Sequence, residues 1–302
     1  MKKKFIYLTF FVLFLITAEL FLRLYYGFCD TVLMREDPDY EYIAQPNQNR
    51  FRFRNHIKYN EQSIRSEQLD TSASMILGLG DSIINGGVQT DHDSLATTIL
   101  SDSLSTWQGK KVQFLNISAG SWGPDNCYAY LKKHGDFKAK SLFLFVSSHD
   151  AYDNMNFNKT VDVNVSFPSK QYASAIYELF ERYLIPRLKD KFEKRVTNEE
   201  NLGISKKTDS VVFNTGFDSL LAYTKEKRIP FTLYIHAEKS ELQSRAYNEQ
   251  GQKIIQFANQ HGIPVIKDLD NGLSLEDFRD DIHINAKGQR KLAATILNYL
   301  KQ

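Results

Sequence analysis

Five short apolar runs, each parted from the next by polar or helix-patterned sequence, do most to limit the folds open to this chain. They are Met75-Ile76-Leu77-Gly78-Leu79, Val112-Gln113-Phe114-Leu115, Leu142-Phe143-Leu144-Phe145-Val146, Phe231-Thr232-Leu233-Tyr234-Ile235 and Pro264-Val265-Ile266. The third is apolar at every position, as a strand must be when both faces of its sheet are covered. Helical spacing follows in Ser94 to Leu104 (Leu95, Ile99, Leu104), with Asp93 or Ser94 as cap, and in Cys127 to His134 after Pro124. It returns around Ile254, Ile255 and Phe257, and in a closing helix whose Leu292, Ile296, Tyr299 and Leu300 make one stripe. Alternation of this kind predicts an α/β chain, a doubly wound three-layer α/β/α sandwich on a parallel sheet of about five strands. Tyr172 to Lys194 reads as an amphipathic insertion (Ile176, Leu179, Phe180, Tyr183, Leu184), serving either as packing or as a lid.

Ahead of the α/β pattern the chain changes character. Lys2, Lys3 and Lys4 precede an apolar stretch from Phe5 to Ala18, which Leu20, Phe21, Leu22, Leu24, Tyr25 and Tyr26 prolong. Only Glu19 and Arg23 interrupt it; four apart, they share one helical face and can pair. The total suffices to span a bilayer, with the tyrosines suited to its aromatic belt. A cut after Ala18 would place Ile16 where cleavage wants a small residue, so residues 1–28 are expected to be an uncleaved signal-anchor. The lysines keep the N-terminus in the cytoplasm and put the body outside, on the periplasmic side. Residues 29–70 form either a small β annex or an extended linker, and 71–302 the α/β domain. In the annex Phe51, Phe53, Ile57 and Tyr59 alternate with Arg52, Arg54, His56 and Lys58, with Tyr40-Glu41-Tyr42 as the expected hairpin partner.

Composition excludes several classes. With 42% apolar and 25% charged residues the chain is globular, and a net charge of +2 from 38 basic and 36 acidic groups gives no reason to expect a nucleic-acid partner. Cys29 and Cys127 cannot build a disulfide framework or a thiolate metal cluster. Gly78-Leu79-Gly80 starts like a dinucleotide fingerprint, but Ile83 stands where its third glycine belongs. Asp91-His92-Asp93 is explained by a helix cap, so neither a cofactor nor a metal is expected.

In a parallel sheet chemistry gathers at the carboxyl ends of strands. The first run ends in Gly80-Asp81-Ser82, a turn that exposes a hydroxyl at a helix start. Near the C-terminus, Asp280-Asp281-Ile282-His283 puts a carboxylate three residues ahead of a histidine, where it can bend back to Nδ1 and fix the tautomer a general base needs.

Gly-Asp-Ser first and Asp-x-x-His last resembles the SGNH (or GDSL) hydrolase superfamily, over about Ser74 to Leu300. The anchor with its Glu-x-x-x-Arg step is similar to that of membrane-tethered bacterial members. The resemblance implies a flavodoxin-like fold, Ser82 as nucleophile, His283 as base and Asp280 as orienting acid, with Asp281 an adjacent rival lacking the family spacing. It implies an oxyanion hole from a backbone N–H at Gly120 or Ser121, and a side-chain donor in a Gly-x-Asn-Asp block. Here that block reads Ser147-Ser148-His149-Asp150, so His149 replaces the asparagine. The implied activity is that of a serine esterase or O-acyltransferase, with acetyl the natural acyl group. The implied partner is an acylated small molecule or a polysaccharide of the envelope or a secreted polymer. The alternative is a non-catalytic carbohydrate-binding or assembly factor that keeps the fold; Trp122 and Tyr152 could offer a sugar-stacking surface.

Overall fold

The computed structural model describes residues 2–188 and 212–302. Its centre is a five-stranded parallel sheet of β5 (Ser74–Gly80), β6 (Val112–Ser118), β7 (Ser141–Ser147), β8 (Phe231–His236) and β9 (Val265–Lys267), in the order β6-β5-β7-β8-β9. The order reverses between β5 and β7, so their carboxyl ends diverge into a crevice, the usual ligand position of a doubly wound sheet. The registers Gly80↔Ser118 and Ser147↔His236 bring four strand ends to one rim.

Side chains alternate across the sheet into two apolar layers. Leu77, Leu79, Leu144 and Ile235 pack towards α4 (Pro124–His134), α6 (Gly216–Lys227) and α8 (Glu249–Gln260). Ile76, Phe114, Phe143 and Phe145 pack towards α3 (Ala96–Gln108) and α9 (Ala286–Leu300). Each of these side chains is nearly or fully buried, contributing about 1.5–3 kcal/mol by leaving water. Gly78 keeps the second layer close: a Cβ there would lie 2.7 Å from Cε1 of Phe114. The three-layer sandwich is thus as the periodicity predicts.

Caps differ in detail. Helix α3 begins one or two residues later than expected, behind Leu95, and Gln289 accepts from Ala96 N at 2.9 Å in place of a local side-chain cap. Asp91 instead caps the short turn His92–Ser94, in keeping with the capping reading of that triplet. Cys29 and Cys127 are both free.

The N-terminal helix α1 (Lys2–Tyr26) is one continuous rod, long and apolar enough to cross a membrane. Glu19 and Arg23 pair at 2.7 Å as their spacing predicts. Glu19 also accepts from Ala175 N (2.8 Å) and Ile176 N (2.9 Å), capping α5 (Ala175–Glu178), which runs on as a π-helical segment Leu179–Leu184. Of the amphipathic insertion expected over 172–194, residues 189–194 lie outside the described residues. Within it Phe180, one of the apolar positions that mark its amphipathic face, is exposed.

The annex consists of two hairpins. Strand β1 (Met34–Asp37) pairs with β2 (Glu41–Ala44), and β3 (Gln48–Arg52) with β4 (Asn55–Tyr59), all antiparallel. The Tyr40–Tyr42 segment is therefore not the partner of residues 51–59. That stretch folds on itself at Phe53-Arg54, both at positive φ (50° and 66°), the twist that two-residue hairpins require. Tyr40, Tyr42, Ile43 and Ile57 join the same apolar cluster as Leu77 and Leu115, so the annex packs onto the sheet domain rather than hanging from it.

Arg52, on the polar face of the alternation, is fully buried. It pairs with Glu178 at 2.6 Å, both side chains wholly inaccessible, and lies over the rings of Phe28 and Phe53. Cys29 N and Arg182 also donate to Glu178, and Tyr183 OH accepts from Arg52. A polar knot thus fastens the end of α1, the annex and α5 together.

Candidate active site

Strand β5 delivers Gly80-Asp81-Ser82 at the crevice. Asp81 accepts from Ile83 N at 2.9 Å and turns the chain into the short helix α2 (Ser82–Asn85), which leaves Ser82 half-buried at the rim. From the other side comes the loop before α9, closed by the Phe278↔Ile284 bridge and by Asn285, which caps α9 through Lys287 N and Gly288 N.

Across this gap His283 Nε2 lies 2.9 Å from Ser82 Oγ. Its Nδ1 lies 2.9 and 3.0 Å from the two oxygens of Asp280. Asp280 also accepts from Ile282 N (3.0 Å) and His283 N (2.7 Å). Burial works to raise the Asp280 pKa, but these two backbone N–H groups and the imidazole outweigh it and hold the carboxylate below its ordinary value. A carboxylate only accepts, so Nδ1 carries the proton and Nε2 offers its lone pair to the serine hydroxyl. Asp281 instead lends its carbonyl to Lys239 N at 2.9 Å, at the start of α7 (Lys239–Ser244).

Ser82, Asp280 and His283 line a cavity of about 480 Å³ together with Gly120 and Ser121. The Ser121 φ of 59° is left-handed, a conformation in which glycine is the usual residue. Tyr42 OH donates to the Gly120 carbonyl, fixing that turn from the annex side.

His149 stands beside Asp81, the residue before Ser82. Its Nε2 is 4.0 Å from Asp81 Oδ2 and 3.9 Å from Asp150 Oδ1, its Nδ1 is 3.4 Å from Glu238 Oε1, and it does not line the Ser82 cavity. Burial opposes its charge, yet Asp150, Glu238 and Asp81 outweigh that and raise its pKa to about 10. Burial raises Asp81 and Asp150 as well, and Asp150 Oδ1 has no hydrogen-bond partner among the described residues. One ligand atom each from Asp81, His149 and Asp150 lies within 4.8 Å of the others, a grouping that could hold a metal ion. An imidazolium at His149 supplies the positive charge these carboxylates need.

Three further residues support the site, two of them without any signal in the spacing. His236, fully buried, donates from Nε2 to the Ile282 carbonyl at 2.7 Å while Asp268 holds its Nδ1 and also accepts from Tyr234 OH. Burial works against charge on His236, but Asp268 and the Ile282 carbonyl raise its pKa. Arg279 reaches from the histidine loop to the Gly86 carbonyl at 3.0 Å, tying that loop to the turn after Ser82. Asn85 donates to the Ser118 carbonyl at 3.0 Å and lines the cavity. Only Asn85 lay within reach of sequence reasoning, three residues beyond Ser82 on one turn of helix. Trp122 is buried and donates to the Tyr42 carbonyl, so it offers no stacking face.

No family model and no curated protein matches the chain. Among solved structures it is similar to the acetyl xylan esterase AlAXEase, at 16% identity over 74% of this chain and 98% of that one, TM-score 0.42. It is similar to the psychrotrophic esterase EstA from Pseudoalteromonas sp., at 13% identity over 76% and 100%, TM-score 0.42. It is similar also to a lipolytic G-D-S-L family protein from Veillonella parvula, at 14% identity over 76% and 100%, TM-score 0.40. Scores of this size carry no weight for the chemistry, which rests on this chain's own residues.

Proposed function

We propose that the chain is a membrane-anchored serine ester hydrolase of SGNH type. The observation that carries this is the unbroken line from Ser82 Oγ through the His283 imidazole to Asp280, with contacts of 2.9 Å on either side of the ring, at the wall of a cavity. Ser82 Oγ attacks an ester carbonyl as His283 Nε2 takes its proton, and Asp280 steadies the imidazolium. The proton then passes to the departing alcohol, and water or an acceptor alcohol removes the acyl group from Ser82. Acceptance by an alcohol would make the protein an O-acyltransferase. Backbone N–H groups of Ser82 and the Gly120–Ser121 turn hold the oxyanion. His149 contributes positive potential behind Asp81 rather than a direct contact.

Helix α1 is the anchor in this reading, with the three lysines inside and the body on the periplasmic side. An O-acetyl group on an envelope or secreted polysaccharide is the substrate that location suggests. Fluorophosphonate labelling of the full-length protein in detergent tests the nucleophile. The adduct should map to Ser82 and be absent from a folded Ser82→Ala variant. An unlabelled wild type, or equal labelling of S82A, would overturn the assignment.

A further inference from the structure

A second cavity, of about 580 Å³, lies against the base of α1. Its walls are Leu22 and Tyr26 of α1, Phe28, and Leu179 and Tyr183 of the π-helical segment. Phe53, Gln89 and Tyr183 line both this groove and the Ser82 cavity, so the two meet across these three side chains. Leu22 belongs to the stretch long and apolar enough to cross a membrane. With α1 as the proposed anchor, the groove would open where the body meets the outer face of the bilayer, and through the shared side chains it adjoins the cavity that Ser82 lines.

The helix on the other side of the groove carries a second sign. Tyr177, Phe180, Ile185 and Leu188 are 57%, 52%, 44% and 54% exposed, an apolar surface that water disfavours and a headgroup layer accepts. Glu19 and Arg23 fix this helix to α1: Glu19 caps α5, and Arg23 donates to the Ala173 carbonyl at 2.6 Å. It cannot move away from the bilayer without breaking those contacts. Arg187 in the groove wall, and Arg54, exposed and 5.4 Å from the Tyr25 ring, put cations where lipid headgroups would lie.

We infer that the substrate is an ester borne by a membrane amphiphile, whose hydrocarbon chain lies in the groove between α1 and the π-helical segment while its ester carbonyl reaches Ser82. The inference rests on the serine-hydrolase reading, narrows its substrate from an envelope or secreted polysaccharide to a lipid-borne ester, and adds the route of entry. In the reaction a bond forms from Ser82 Oγ to the carbonyl carbon and the serine proton moves to His283 Nε2. The ester C–O bond breaks, and the lipid-borne alcohol leaves with that proton. Water then cleaves acyl-Ser82, releasing the acid and restoring the hydroxyl.

The test compares two substrates of identical chemistry, a dodecyl glucoside and a methyl glucoside each carrying a single acetyl ester, with full-length protein in mixed detergent–phospholipid micelles. The dodecyl ester should be preferred by about tenfold or more in kcat/KM, the effect of burying only roughly two methylenes. Leu22→Trp and Leu179→Trp, which fill the groove, should collapse the ratio towards unity. An equal rate on the two esters, or a ratio unmoved by both variants, overturns the inference. A dodecyl glucoside with a chain-end diazirine gives a readout independent of turnover. Crosslinks should fall on the peptides around Leu22–Phe28 and Leu179–Tyr183, and crosslinks elsewhere overturn the groove. Failure of the serine reading alone would show as groove crosslinks on a protein that fluorophosphonate leaves unlabelled.

Discussion

Replacing Glu178 by Gln tests the polar knot beneath the groove. The substitution keeps the shape and removes one charge from a pair whose side chains are both wholly inaccessible. It leaves Arg52 with neutral acceptors only: the new amide oxygen, the Gly27 carbonyl (2.9 Å) and Tyr183 OH (2.8 Å). It also weakens the bonds from Cys29 N and Arg182. Stranding one member of a buried pair costs about 3–5 kcal/mol, because the remaining charge keeps its desolvation penalty without the compensating partner. At roughly 2–4 °C per kcal/mol for a domain of this size, E178Q should lower Tm by about 6–20 °C. Removing both charges with Arg52→Met and Glu178→Leu should recover most of that loss, since apolar side chains can fill the space between Phe28 and Phe53. Thermal and urea unfolding of the detergent-solubilised full-length chain, followed by tryptophan fluorescence, reads both variants. A loss below about 1 kcal/mol for E178Q, the size expected of a surface pair, would refute the reasoning.

Asp280→Asn removes the acceptor that sets the His283 tautomer, so kcat on p-nitrophenyl acetate should fall roughly ten-thousandfold with little change in Tm; a fall under about tenfold would free Asp280 of that role. His236→Gln should lower kcat by roughly a hundredfold with KM nearly constant, through displacement of the Ile282 carbonyl and the neighbouring imidazole; steady-state kinetics on the same ester checks this. His149 keeps its proton to about pH 10 in the folded chain against an ordinary value of 6.5, so its contribution is complete below 6.5 and disappears as pH rises towards 10. Urea unfolding should therefore show stability declining across that window in wild type, and a flatter profile in His149→Gln. Gly27→Ala forces a Cβ to within 1.9 Å of the Phe51 carbonyl at a φ of +67°, and should reduce the yield of folded protein sharply in a solubility assay.

Strands were the most legible part of the chain, because a sheet covered on both faces leaves no polar position in a run such as Leu142–Val146. The Asp280–His283 spacing was readable for a similarly local reason: three residues of loop suffice to bring the carboxylate to Nδ1. Long-range partners were not readable. Arg52 alternates like a surface residue, and partners remote in sequence, above all Glu178, 126 positions away, explain its burial. His236 was unremarkable until the fold placed Asp268 and the Ile282 carbonyl on either side of it. The hairpin at Phe53-Arg54 escaped notice because neither residue is one that favours positive φ; packing of Phe53 beside Arg52 and Tyr183 holds it there. His149 shows the limit of motif transfer, since its neighbours Asp81, Asp150 and Glu238 govern its charge state.

The joint between rod and body has no slack in it. Arg23 is hydrogen-bonded to Ala173, the α5 N-terminus is capped from inside the rod, and Phe53 N donates to the Tyr26 carbonyl at 2.8 Å. A protein held this way does not swing on a leash. With α1 as the proposed anchor, the mouth would stay at one height and one tilt above the bilayer, working a thin shell at the surface and leaving anything further out untouched. Lengthening the joint with a flexible spacer would trade that fixed aim for reach.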